Sequence, residues 1–213
     1  MKKTFITITL IIGILNGFAQ NETKAVELLD EVSTKIAAYK TIYVEFKNTL
    51  ENLEENIQQD TKGKATLKGE KYVVEMLGTT TIFDGKKKFT ILPEDEEVNI
   101  SEPDENDEIT PAEFFSFYKD GYTYSWDIVQ NVDGKKIQFV KLMPIASDSE
   151  FKYVLLGIDT KTKHIYKLIQ IGKNGSNYHL TITLFKTNLD LPNKMFEFNR
   201  TKYESEGYII NDL

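Results

Sequence analysis

The chain has 213 residues, no cysteine, and 33 acidic against 26 basic side chains, for a formal net charge of −7. Without cysteine there is no disulfide framework, thiolate metal site or thiol nucleophile. An acidic chain with no basic block is excluded from electrostatic binding of nucleic acid, and its length suits one domain with a sizeable core.

The N-terminus opens with Lys2 and Lys3, then an apolar run from Phe5 to Leu15, then small residues at Gly17 and Ala19. That is the three-part layout of a secretory signal peptide. It predicts a signal peptide over 1–19, cleavage between Ala19 and Gln20, and export to the periplasm. The run is shorter than the roughly 20 apolar residues that span a bilayer. Residues 20–213 are expected to form a single domain.

From Glu22 to Tyr39, Ala25, Val26, Leu28, Leu29, Val32, Ile36 and Ala37 recur at steps of three and four. This is one face of an amphipathic helix. After Thr41 the period becomes two. Ile42, Val44, Phe46 and Leu50 share one side, as do Tyr72, Val74 and Met76. Phe89 and Ile91 form another such set, and Tyr124 and Trp126 a fourth. Asp84-Gly85, Asp133-Gly134 and Asn174-Gly175 mark hairpin turns. About ten strands follow, at Thr79–Phe83, Lys87–Leu92, Ile137–Met143, Phe151–Ile158, Ile165–Ile171 and Tyr178–Phe185 among others. The expected fold is mainly β with helices (α+β): an incomplete, strongly curved antiparallel β-barrel.

One acidic segment, Glu94 to Glu108, interrupts the meander and is expected to be an exposed loop that meets basic partner surfaces. It runs into Thr110-Pro111-Ala112-Glu113, an N-cap, a proline at the first helical position and an acid three residues after the cap. The helix that follows carries Phe114, Phe115, Phe117 and Tyr118. Four aromatics in five residues cannot all face one way on a helix, so some are expected to point to the sheet and others elsewhere.

Catalytic constellations are not found. His164 and His179 sit in strand-like segments, expected to face outward, without the partner four residues away that a helical zinc site needs. Asp104, Asn106 and Glu108 lack the glycine and distal glutamate of a calcium loop. No nucleophile elbow, P-loop or dinucleotide fingerprint is present. The expectation is a binding protein that needs no cofactor or metal.

The order of elements resembles the periplasmic outer-membrane lipoprotein carrier family, LolA. Phe83-Asp84-Gly85-Lys86 running through Phe89 to Leu92-Pro93 is similar to the family's strand, Asp-Gly-Lys turn, aromatic strand and proline. Asp190-Leu191-Pro192 followed by Met195-Phe196-Glu197-Phe198 is similar to its C-terminal segment, and Gly63 to Lys68 to its glycine-led strand. The resemblance implies a half-barrel with helices over its open concave face, the short aromatic helix being its lid. It implies a monomeric carrier that takes acylated lipoproteins from an inner-membrane ABC transporter to an outer-membrane acceptor. A lipid- or lipoprotein-sensing domain of the same half-barrel fold is the alternative. The resemblance also implies an arginine after the lysine of the glycine-led strand, latching the lid. Gly69 stands there instead, with Lys68 and Lys71 as nearby cations.

Strand parity then nominates the lipid-binding wall: Val44, Phe46, Leu50, Tyr72, Val74, Met76, Phe89, Ile91, Tyr124 and Trp126, joined by Phe114, Phe115 and Tyr118 from the lid. The same residues would equally fill a closed core.

Overall fold

The computed structural model describes residues 4–103 and 110–213. Helix α1 (Thr4–Ala37) opens the chain. Then come β1 (Ile42–Asn52), β2 (Ile57–Lys68), β3 (Lys71–Met76), β4 (Thr79–Phe83), β5 (Lys88–Leu92) and β6 (Glu97–Ser101). A short helix α2 (Pro111–Phe114) and a 3-10 turn at Phe117–Lys119 lead into β7 (Tyr122–Val132), β8 (Lys135–Pro144), β9 (Phe151–Asp159), β10 (Ile165–Gly172) and β11 (Ser176–Thr187). A second 3-10 turn (Asn193–Phe196), α3 (Arg200–Ser205) and β12 (Ile209–Asp212) complete it. The fold is mostly β, as the sequence predicts.

The chain folds as two compact units, one made of Met1–Ala37 with Tyr118–Tyr178, the other of Ala38–Phe117 with His179–Leu213. In the first, antiparallel strands lie in the order β10-β9-β8-β7. Helix α1 packs along β7, with Ala25, Leu28, Leu29 and Val32 buried at steps of three and four. Across the β7–β8 pair, Asp127 and Ile128 stand as two residues against Phe139, a β-bulge. The Gln138 side chain is 1 % exposed, and its amide donates to the Asp127 carbonyl at 2.7 Å. It occupies a backbone acceptor that the bulge leaves outside the ladder. The turn between β7 and β8 is Asp133-Gly134, with φ of 49° and 74°, the left-handed pair of a type I′ hairpin.

In the second unit the order is β12-β6-β5-β4-β3-β2-β1-β11, which never returns on itself and so stays open. Neighbours from β1 to β6 pair antiparallel, while β12 joins β6 in parallel. One face of β4–β6 forms a closed core. Ile82, Phe89, Ile91, Val98 and Ile100 are buried there, with Phe198, Tyr203, Tyr208 and Ile210 packed against them. Phe198 stacks on Phe89 at 4.8 Å and on Tyr203 at 5.3 Å.

Several sequence expectations are corrected. Residues 97–101 are a strand, not part of an exposed loop. Val98 and Ile100 alternate with polar neighbours and are buried, a period-two signal hidden by the surrounding carboxylates. Asp104, Asn106 and Glu108 lie outside the described residues. The aromatic segment is not one helix but α2 followed by a 3-10 turn. Its start is as predicted: the Thr110 hydroxyl accepts from Glu113 N, and the Glu113 carboxylate accepts from Thr110 N. Between β4 and β5 the connection is four residues, Asp84 to Lys87, because the Asp84 carboxylate accepts from Lys86 N and Lys87 N.

Candidate functional site

Register across the second unit sorts the nominated residues onto two faces. Val44 pairs with Ala65, Ala65 with Val74, Val74 with Thr81, Thr81 with Thr90, Thr90 with Asn99, and Asn99 with Asn211. This single row crosses seven strands on one face, apolar from Val44 to Val74 and polar from Thr81 onward. The neighbouring row behaves alike: Ile42, Leu67, Tyr72 and Phe83 lead to Lys88 and Ser101. The opposite face runs the other way. Glu45, Lys64, Glu75 and Thr80 lead to Ile91, Val98 and Ile210. Both faces therefore exchange polarity at about the same place, around β4.

The reason lies in what covers each face. On β4–β6 the apolar side is covered by Phe198, Tyr203 and Tyr208 around α3. On β1–β3 that side carries ion pairs instead, Lys47 to Asp60 at 2.8 Å and Lys64 to Glu75 at 2.9 Å. The apolar side chains of β1–β3 point the other way. Val44 and Tyr72 are buried, Phe46, Leu50, Val74 and Phe83 are half-buried, and Met76 and Ile57 are exposed. Tyr72 and Phe83 pack at 5.3 Å.

Phe46 sits opposite Gly63 in the ladder, and its ring covers that glycine. The glycine-led start of the motif thus makes room for an aromatic ring on the apolar face. Gly157 of the first unit, opposite Phe139, repeats the arrangement.

The nominated residues divide. Val44, Phe46, Leu50, Tyr72, Val74 and Met76 share one face. Phe89 and Ile91 lie on the other, inside the closed core with α3. Phe115 is 3 % exposed, edge-on to Phe114 at 5.1 Å and to Phe185 at 5.9 Å, so it packs within the second unit. Phe114 is half-buried. In the first unit Tyr118 is 1 % exposed, its hydroxyl 3.0 Å from the Ser33 hydroxyl of α1 and its carbonyl accepting from the Tyr124 hydroxyl at 2.6 Å. Burial raises the Tyr118 hydroxyl above its ordinary range, against the opposing pull of the Ser33 hydrogen bond. Trp126 is half-buried on β7. Sequence parity missed Phe83 and Ile57. Phe83 could have been found from its place opposite Tyr72, but only once the hairpin register is known.

The latch position also has a structure. Gly69 has φ +60° in the two-residue β2–β3 turn, a left-handed site where arginine would be strained. Lys68 donates instead to the Leu191 carbonyl and the Asn193 side chain, at 2.9 and 2.8 Å. It ties the sheet to the C-terminal motif segment.

Acid–base or metal chemistry finds little to build on. Both histidines are partly buried rather than outward-facing. Burial lowers the pKa of His164, with Lys35 adding to it and Asp159 opposing. His179 lies 3.6 Å from Glu51. Among the described residues no cluster of His, Asp and Glu could hold a metal.

No protein of curated function matches the chain in sequence. A conserved protein from Thermus thermophilus shares the fold over 89% of this chain and 99% of its own, at 12% identity and a TM-score of 0.56. LprF from Mycobacterium bovis does so over 80% and 96%, at 13% identity and a TM-score of 0.51. A LolA superfamily protein from Nitrosomonas europaea aligns over 82% and 97%, at 13% identity and a TM-score of 0.45. The family model for the outer membrane lipoprotein carrier protein LolA matches residues 15–175. The chain belongs to that outer membrane lipoprotein carrier (LolA) family.

Proposed function

We propose that the protein is a periplasmic carrier that shelters the acyl chains of lipoproteins and ferries them from the inner to the outer membrane. The observation that carries this reading is the apolar face of β1–β3. Phe46, Leu50 and Val74 line it, with Phe83 of β4 beside them, and stay half-open, while the buried apolar face of β4–β6 is covered by Phe198, Tyr203 and Tyr208. A cargo chain of about 16 carbons gains on the order of 12 kcal/mol when removed from water. Such a chain does not leave a membrane without a shelter. A wall of aliphatic and aromatic groups supplies that shelter without tight recognition, so the cargo passes on when an acceptor buries it better.

The partners of this reading are an ABC transporter at the inner membrane and an acceptor at the outer membrane. The route to the periplasm is the signal peptide over residues 1–19. N-terminal sequencing of the exported protein is expected to read from Gln20.

Uptake of a fluorescent fatty acid tests the wall. The pair Leu50→Glu with Val74→Thr is expected to weaken uptake about tenfold while moving the urea midpoint little. Unchanged uptake in a folded variant would remove this face from the cargo path.

A further inference from the structure

We propose that the polar half of the same face, Thr81, Thr90, Asn99 and Asn211 with Thr79 and Ser101 beside them, is a subsite for the uncharged head of the cargo: the glyceryl esters and first peptide units of an acylated peptide. This rests on the carrier reading and extends it from chains to heads.

The row that runs from Val44 to Asn211 changes character between adjacent strands, at Val74 and Thr81. An amphiphile lying across the strands with its chain over β1–β3 carries its first polar atoms onto β4. Thr81, Thr90, Asn99 and Asn211 are direct neighbours in register. At about 4.8 Å per strand they cover roughly 14 Å, the scale of a glyceryl ester with a short peptide. All are half-buried, close enough to packed surface to be partly desolvated yet open to a ligand.

Their hydrogen-bonding capacity fits esters and amides. The hydroxyls of Thr79, Thr81 and Thr90 make no side-chain hydrogen bond among the described residues. Each can donate to a carbonyl. Asn211 donates to the Asn99 side-chain oxygen at 2.9 Å, a bond that uses neither the Asn99 amide hydrogens nor the Asn211 oxygen.

Charge decides between kinds of head. On this face, β4–β6 carry one cation, Lys88, and one anion, Glu97. A phosphate head calls for clustered cations or an arginine fork, and this strip has neither. Neutral carbonyls and amides match it, so the subsite selects acylated peptides over phospholipids.

The test uses the full exported chain and three probes of equal acyl length: a fluorescent fatty acid, a synthetic diacylglyceryl peptide and a phosphatidylglycerol. The wild type is expected to bind the lipopeptide at least tenfold tighter than the other two. Thr81→Val with Thr90→Val removes two hydroxyls at nearly constant shape. It is expected to cost the lipopeptide at least fivefold and to leave the fatty acid within twofold. Thr81→Ser with Thr90→Ser keeps the hydroxyls and is expected to keep the preference, which separates hydrogen bonding from folding. Equal losses for lipopeptide and fatty acid, or phosphatidylglycerol bound as tightly as lipopeptide, would overturn the subsite. If the fatty acid binds and the lipopeptide binds no better, the subsite fails and the carrier stands. If neither binds, both readings fail.

Discussion

The ring of Phe46 occupies the space that a side chain at Gly63 would need: a Cβ there would lie 2.5 Å from the Phe46 ring and 3.0 Å from the Glu75 carbonyl. Gly63→Ala therefore sets two effects against each other. Alanine in a strand gains about 0.5–1 kcal/mol over glycine, and overpacking costs about 1–3 kcal/mol. Overpacking wins, so the substitution is expected to lower stability by about 1 kcal/mol. In a Phe46→Ala background the ring is gone and the same substitution is expected to stabilise. Urea midpoints of the four proteins in this cycle give the answer. A Gly63→Ala effect of the same sign in both backgrounds would mean the ring is not what the glycine accommodates.

Gln138 makes a second test of local design. Gln138→Leu keeps the volume but leaves the Asp127 carbonyl of the bulge without its donor. The expected cost is about 1–3 kcal/mol, the desolvation penalty of an orphaned acceptor. Hydrogen exchange is expected to quicken in β7 before any other strand. Uniform quickening through β8 and β9 would contradict a local role.

Phe115 and Phe114 are adjacent but differ in burial. Phe115→Glu puts an unpaired charge among Phe114 and Phe185 and is expected to cost about 3–5 kcal/mol. Phe114→Glu, at a half-open site, is expected to cost about 1 kcal/mol or less. Thermal unfolding of the pair decides whether the segment has a packed side and an open side. Equal costs would erase that distinction.

His164 gives the first unit a pH dependence. Its folded pKa lies below the ordinary value of about 6.5, because burial and then Lys35 disfavour the charged ring. The unfolded chain thus binds the proton more readily. Stability is full above pH 6.5 and declines as pH falls from there toward the folded pKa. The melting temperature is expected to drop between pH 7 and pH 5, and His164→Gln to flatten that slope. An identical slope in the variant would assign the loss to other groups.

Much of this was legible in the sequence, for physical reasons that differ by element. The capping box at Thr110 and Glu113 was readable because both partners lie within four residues. The Asp133-Gly134 turn was readable because few residues tolerate two left-handed positions. Strand parity placed Val44 with Phe46, and Tyr72 with Val74, because side chains alternate along a strand; the register across β2 is what brings the two pairs onto one face. It could not place Phe89 and Ile91, since parity within one strand does not say which face the next strand buries. That is fixed by α3 and Tyr208, more than a hundred residues further along. Strand β6 was hidden because net charge outweighed its two buried residues, and β12 because four residues carry too little pattern.

The core of the second unit joins Ile82 and Val98 to Tyr203 and Ile210. The hairpins from β1 to β5 are local and can form as soon as their turns close, but one face of β4–β6 has nothing to cover it until residues 196–210 arrive. Pairings of such long sequence separation form late. During that interval a row of bare isoleucine, valine and phenylalanine is presented on an unfinished sheet, a surface prone to sticking to other chains. The acidic run from Glu94 to Glu97, set beside that row in the sequence, supplies mutual repulsion where it is needed. The charge that concealed β6 from a reading of the sequence thus flanks the face that stays uncovered until the last strand joins the edge of the sheet.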